Sequence, residues 1–205
     1  QLPGLSDIVM VASPVDGSLF LKADGTVMAL GGNVNGQLGG GSTELFSTPS
    51  QVAGLSAVKA ISASQDFSLF LLDDGTVMAT GMNSEGQLGD GTTDQRNTPV
   101  QIAGLTDIVA ISAGTAPSLF LKSDGTAWST GYNLFGQLAD GSTDSTSTPI
   151  QVLSDVKDVA AGGYHSLFLK NDGTVWSAGR NDRGQLGNGT TDGSGTPLAQ
   201  IPGLT

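Results

Sequence analysis

The sequence predicts an all-β fold, a β-propeller of four four-stranded blades. Three observations predict it. The 205-residue chain repeats itself at intervals of 50, 50 and 48 residues, marked by Ser18-Leu19-Phe20-Leu21 and its copies at Ser68, Ser118 and Ser166. Self-similarity at that period belongs to propellers and arrays. Each copy holds four short strand signals separated by turn residues, and no segment carries a convincing helical period with caps. Finally, 31 glycines recur in register with the repeat, as many tight turns require.

The third copy shows the elements in order. Residues 107–111 (Asp-Ile-Val-Ala-Ile) are a short apolar run of strand length, strand A. Residues 118–122 (Ser-Leu-Phe-Leu-Lys), strand B, are rich in β-compatible side chains. Ser123-Asp124-Gly125 is turn chemistry, since Asp-Gly tolerates positive φ and closes a tight hairpin. Residues 126–130 form strand C, a long loop covers 131–147, and residues 148–152 form strand D. Pro149 suits an outer edge, where a missing backbone donor is tolerated. The blades span about residues 1–50, 51–100, 101–150 and 151–205, a single repeat domain. The alternating leucines of strand B, Leu19, Leu21, Leu69, Leu71, Leu119, Leu121, Leu167 and Leu169, are expected to pack between blades.

Composition removes several functions. Lys plus Arg number 8 against 19 Asp plus Glu, a net charge of −11, so the basic footprint that phosphate binding needs is missing. Nucleic acid is therefore a poor partner. No run of 18 apolar residues is present, which argues against membrane insertion. Nothing resembles a signal peptide, so a cytosolic protein or a trimmed segment is expected, with a secreted or cell-surface setting the preferred reading. The absence of cysteine removes thiol chemistry. His165 is the only histidine, so a Ser-His arrangement lacks parts and no enzyme activity is expected. No cofactor is implied. The loops Asp90-Gly91-Thr92-Thr93-Asp94 and Asp140-Gly141-Ser142-Thr143-Asp144 offer oxygen ligands for calcium, but Asx-turn chemistry explains them as well.

The repeated pattern resembles the RCC1 (regulator of chromosome condensation) repeat. It reads Ser-Leu-x-Leu-Lys-x-Asp-Gly-Thr-Val-Trp, then Gly-x-Asn-x-x-Gly-Gln-Leu-Gly, then Ser-Thr-Pro. The fourth copy is the nearest to it, with Gly162-Gly163-Tyr164-His165-Ser166, Asp172-Gly173-Thr174-Val175-Trp176 and Gly184-Gln185-Leu186-Gly187. The resemblance covers the chain and implies a propeller of four-stranded blades. That family usually has seven blades, whereas four copies are present here. A small closed ring, an open arc, or an arc completed by another chain through its open blade faces all remain possible, the last as a homo-oligomer. The fold does not fix an activity.

Comparison of the copies places the differences. In an antiparallel meander the A–B and C–D connections share one face, and the B–C and D–A connections share the other. The B–C turn scarcely varies, whereas the A–B and C–D loops do. Large or charged side chains at varying positions are candidates for binding a partner: Val34, Phe67, Met82, Glu85, Tyr132, Leu134, Phe135, Tyr164, Arg180 and Arg183. The expected function is a non-enzymatic binding propeller for a protein, or a glycan, on that face. The alternatives are a structural and assembly segment of a larger protein, and a calcium-assisted adhesin.

Overall fold

Every blade is a continuous stretch of chain folded as an antiparallel meander. The computed structural model describes residues 4–193 and 196–204; of the positions discussed above, residues 1–3, 194, 195 and 205 lie outside it. The first blade is β1 (Ile8–Ala12), β2 (Gly17–Lys22), β3 (Val27–Gly31) and β4 (Phe46–Gln51). The second is β5 (Val58–Ala63), β6 (Phe67–Leu72), β7 (Val77–Gly81) and β8 (Arg96–Gln101). The third is β9 (Ile108–Ala113), β10 (Pro117–Lys122), β11 (Ala127–Gly131) and β12 (Thr146–Leu153). The fourth is β13 (Val156–Ala161), β14 (His165–Lys170), β15 (Val175–Gly179) and β16 (Thr196–Gln200). Each sheet keeps its strands in chain order, so predicted strands A to D are the first to fourth strands of each blade. No helix occurs among the described residues.

Local chemistry accounts for the hairpins. Strands β2 and β3 are joined by Ala23-Asp24-Gly25, with Gly25 at φ 78°. The Asp24 carboxylate accepts from the Thr26 amide at 3.0 Å and the Thr26 hydroxyl at 2.6 Å, an Asx turn. The same pair of bonds forms at Asp74, Asp124 and Asp172. A glycine in the left-handed region ends a three-residue hairpin loop without Cβ strain. Pro49, Pro99, Pro149 and Pro197 sit on β4, β8, β12 and β16, each the outer strand of its sheet.

Period-two alternation gives every blade two different faces. One carries the leucines of the second strand, the other its phenylalanine. Leu19, Leu21, Val27 and Ala29 of the first blade form one buried cluster with Ile61 and Phe70 of the second. Leu69, Leu71, Val77 and Ala79 bury Phe120, and Leu119, Leu121 and Ala127 bury Phe168. Each fully buried leucine or phenylalanine contributes roughly 1.5–3 kcal/mol relative to exposure. The expected leucine packing therefore holds for three blades. In the fourth, Leu167 and Leu169 are only half-buried, because no other blade among the described residues covers them. At the other end Phe20 is half-buried and its strand neighbour Val11 is 66% exposed. The four blades form an open arc.

Candidate functional site

The C–D loop is held by two residues that every copy shares. Asn33 is fully buried; its side-chain oxygen accepts from the Leu38 amide at 2.8 Å, and its Nδ2 donates to the Ser42 carbonyl at 2.8 Å. Asn83, Asn133 and Asn181 make the same amide bond to Leu88, Leu138 and Leu186. The Gln37 side-chain oxygen accepts from the Asn35 amide, and Gln87, Gln137 and Gln185 accept likewise from Glu85, Phe135 and Arg183. This frame fixes the loop backbone and leaves the two residues between the asparagine and the glycine free to differ. They are Val34-Asn35, Ser84-Glu85, Leu134-Phe135 and Asp182-Arg183.

The third and fourth blades bring three aromatic rings together on the loop face. Tyr132 and Phe135, from the C–D loop of the third blade, have centroids 6.3 Å apart. Tyr164, from the A–B loop of the fourth, lies 6.1 Å from Tyr132 and 5.8 Å from Phe135, all edge-on. Such geometry places ring edges against ring faces and is favourable beyond the area it buries. The Arg180 guanidinium stands 5.6 Å from the Phe135 ring and 5.9 Å from that of Tyr164, and pairs with Asp182 at 2.6 Å. Arg180 and Gln185 hold the Asp182 carboxyl below the usual range, the Arg180 hydrogen bond first.

Beside this triad is a cavity of about 280 Å³, open to solvent and lined by the second, third and fourth blades. Tyr132 and Tyr164 line it together with Asp66, Met82 and Glu85. Asp66 accepts from Asn35 Nδ2 at 2.8 Å, which joins the first blade to the site. A–B and C–D loops thus meet on one face, as strand parity predicts.

Of the sequence candidates, Met82, Glu85, Tyr132 and Tyr164 share the cavity, and Phe135 and Arg180 join it through the triad. Leu134 is 59% and Val34 is 74% exposed, neither lining the cavity, and Arg183 is exposed on the fourth blade. Phe67 must be corrected. It opens strand β6 and is fully buried among Leu69, Leu71 and Val77, so it holds the blade together and cannot touch a partner. Its neighbours Gln65 and Asp66 are the residues of that loop that line the cavity.

The remaining chemical candidates have structural work. His165 is half-buried on β14, and burial pushes its pKa below the ordinary 6.5. A Cβ at position 162 would overlap its ring, which explains the glycine there. In the second copy, Asp90 Oδ2 pairs with Arg96 Nε at 2.6 Å while Oδ1 accepts from the Thr92 amide and hydroxyl. In the third copy the Asp140 carboxylate likewise accepts from the Ser142 amide and hydroxyl, so both loops show the Asx turn that the sequence also offered. No cluster of three or more His, Cys, Asp or Glu side chains suited to a metal ion occurs among the described residues.

The family model described as the regulator of chromosome condensation (RCC1) repeat matches residues 24–71, 74–121, 124–169 and 172–205. A second model of that repeat matches residues 58–87, 108–137 and 156–185. No curated protein matches the chain. Among solved structures, Prp20p from Saccharomyces cerevisiae, described together with its binding to Gsp1p and histones, is 26% identical with a TM-score of 0.83, over 98% of this chain and 52% of its own. Human WBSCR16 is 25% identical with a TM-score of 0.82, over 95% of this chain and 52% of its own. The chain spans about half the length of these structures.

Proposed function

Because the chain belongs to the RCC1 repeat family, we propose that it binds a protein partner through the face carrying the A–B and C–D loops. The observation that carries this reading is the cavity whose lining combines Tyr132 and Tyr164 with the carboxylates Asp66 and Glu85. Aromatic walls with carboxylates suit a basic side chain. The rings attract a cation through their faces, and the carboxylates neutralise it. The net charge of −11 favours the same class of partner at long range. Rigid aromatics supply contact area at low entropic cost, so Tyr132, Phe135 and Tyr164 are the expected anchors. Solvent-exposed Leu134 extends the apolar contact. Binding of proteins by the yeast relative Prp20p supports the class of partner.

The test is selection of a displayed peptide library on the chain, with a glycan array in parallel. Enriched peptides should carry lysine or arginine. They should be lost with the double substitution Tyr132→Ser and Phe135→Ser and kept with Asp73→Ser on the opposite face. Glu85→Lys should weaken them and flatten the salt dependence. Absence of enrichment, enrichment of acidic peptides, or glycan binding abolished by the same substitutions would overturn the reading.

A further inference from the structure

Three junctions join the four blades, and the loop face finishes each of them differently. At the position before the shared glycine, Asn35 Nδ2 of the first blade donates to the Asp66 carboxylate of the second at 2.8 Å. Phe135 of the third blade packs on Tyr164 of the fourth, with ring centroids 5.8 Å apart. Glu85 holds the same position in the second blade. The residue in register with Asp66 and Tyr164 is there Ala116, whose methyl group offers a carboxylate nothing to pair with. Glu85 is exposed, and its side chain forms no hydrogen bond or ion pair among the described residues. The middle junction is thus left open, and the cavity of about 280 Å³ lies there.

The lining also carries an unused donor. Gln87 is 4% exposed and lines the cavity. Its side-chain oxygen accepts from the Glu85 amide at 3.0 Å, which leaves Nε2 without a partner among the described residues. A buried donor left unmade is costly, so the cavity suits a ligand that brings an acceptor as well as a cation. The tip of a basic side chain has no acceptor, whereas a peptide has one at every main-chain carbonyl.

The neighbouring junction shows which cation such a lining accommodates. There the Arg180 guanidinium stands 5.6 Å from the Phe135 ring and 5.9 Å from that of Tyr164 while bonding Asp182 at 2.6 Å. A guanidinium can do both at once, because it stacks through its plane and donates within it; an ammonium is a compact, more strongly hydrated charge. The cavity offers the same set: the rings of Tyr132 and Tyr164, both Glu85 oxygens, and the Asp66 oxygen that is not bonded to Asn35. Resting on the reading of this cavity as a cation site, we propose that the residue it takes is an arginine within a peptide segment, in preference to lysine. Its guanidinium lies on Glu85 against the tyrosines, and a main-chain carbonyl of the same segment accepts from Gln87 Nε2. Glu85 sets the preference, since Asn35 already engages Asp66.

The experiment titrates four probes into the chain carrying carbon-13 at its methionine methyl groups: N-acetylarginine methylamide, its lysine and citrulline counterparts, and propylguanidine. Met82 lines the cavity and reports binding by its methyl resonance, while Met10, Met28 and Met78 report the fold. The arginine probe should bind about fivefold more tightly than the lysine probe, the scale of one cation–π contact. The citrulline probe, similar in shape but uncharged, should not bind. Propylguanidine, with no carbonyl for Gln87, should bind more weakly than the arginine probe. Glu85→Gln should bring the arginine and lysine probes to the same weak affinity with the other three methionine resonances unmoved. Lysine binding as tightly as arginine, or an arginine preference that survives Glu85→Gln, would overturn this assignment and leave the cation reading of the cavity standing. Propylguanidine binding as tightly as the arginine probe would overturn the Gln87 contact. Citrulline binding as tightly as arginine, or a Met82 resonance that no probe shifts, would overturn the arginine and the cation reading together.

Discussion

The Ser118 hydroxyl donates to the main-chain carbonyl of Gln87, 2.6 Å away, across the junction between the second and third blades. Both residues are buried, and Gln87 also holds its own loop by accepting from the Glu85 amide. The bond therefore ties the packing of one blade to the loop that presents the neighbouring blade's variable side chains.

Ser118→Ala removes this donor and leaves a buried carbonyl without a partner. The expected cost is about 1–3 kcal/mol, read as a lower urea midpoint at unchanged slope. An unchanged midpoint would show that the bond contributes nothing to the junction.

Leu119 is fully buried in the cluster between the third and fourth blades, so Leu119→Ala should cost about 2–5 kcal/mol. Leu167 occupies the same register in the fourth blade but is half-buried. Leu167→Ala should cost clearly less. Equal losses at the two positions in equilibrium unfolding would contradict the open arc.

Leu119 and Leu167 also show what a sequence can and cannot display. Their surroundings in the chain are nearly the same, and alternation alone places both on the inter-blade face. What separates them is whether another blade stands in front, which is a fact about space. The hairpins were legible because Asp24-Gly25 determines its turn locally. Phe67 was misread because strand β6 begins one residue before the predicted boundary, and a one-residue shift moves a side chain between core and loop. Tyr132, Phe135 and Tyr164 were legible as departures from an otherwise polar loop pattern. Asp66 was not, since a lone carboxylate in a polar loop carries no such contrast. The roles of Asn33 and Gln37 had a visible signal, their presence in every copy, that pointed to loop structure and not to binding.

Gly131 has φ 112°, and a Cβ there would lie 2.5 Å from the Ala116 carbonyl oxygen. Gly131→Ala should therefore cost more than the roughly 1–3 kcal/mol expected of backbone strain alone. Gly141, at φ 83° with open space around it, supplies the comparison. Gly141→Ala should show the strain without the clash. Thermal unfolding of the two variants measures the difference, and a smaller loss at Gly131 would refute the close approach.

The hairpin carboxylates make stability depend on acid. The Thr26 hydroxyl and amide, bonded to the ionised Asp24 side chain, lower its pKa from 3.8 to about 2. The corresponding bonds to Thr76, Thr126 and Thr174 lower those of Asp74, Asp124 and Asp172. Between these values the unfolded chain binds protons that the folded chain does not, so stability rises with pH through this window. The contribution is fully present above the ordinary carboxylate pKa and is lost as pH falls through the folded value. Self-repulsion of a chain with net charge −11 at pH 7 has the opposite slope only above its isoelectric point near 4.1, where protonation relieves it; below that point added protons build positive charge and repulsion grows again. A variant with Asp24, Asp74, Asp124 and Asp172 all changed to Asn separates the two effects. Asparagine keeps an oxygen that can accept the turn's hydrogen bonds but does not titrate in this range. Denaturant unfolding of both proteins from pH 6 down to pH 2 should show the parent losing stability faster than the variant, with the gap opening between about pH 4 and pH 2. Parallel curves would mean that the ionised turns contribute nothing beyond their shape.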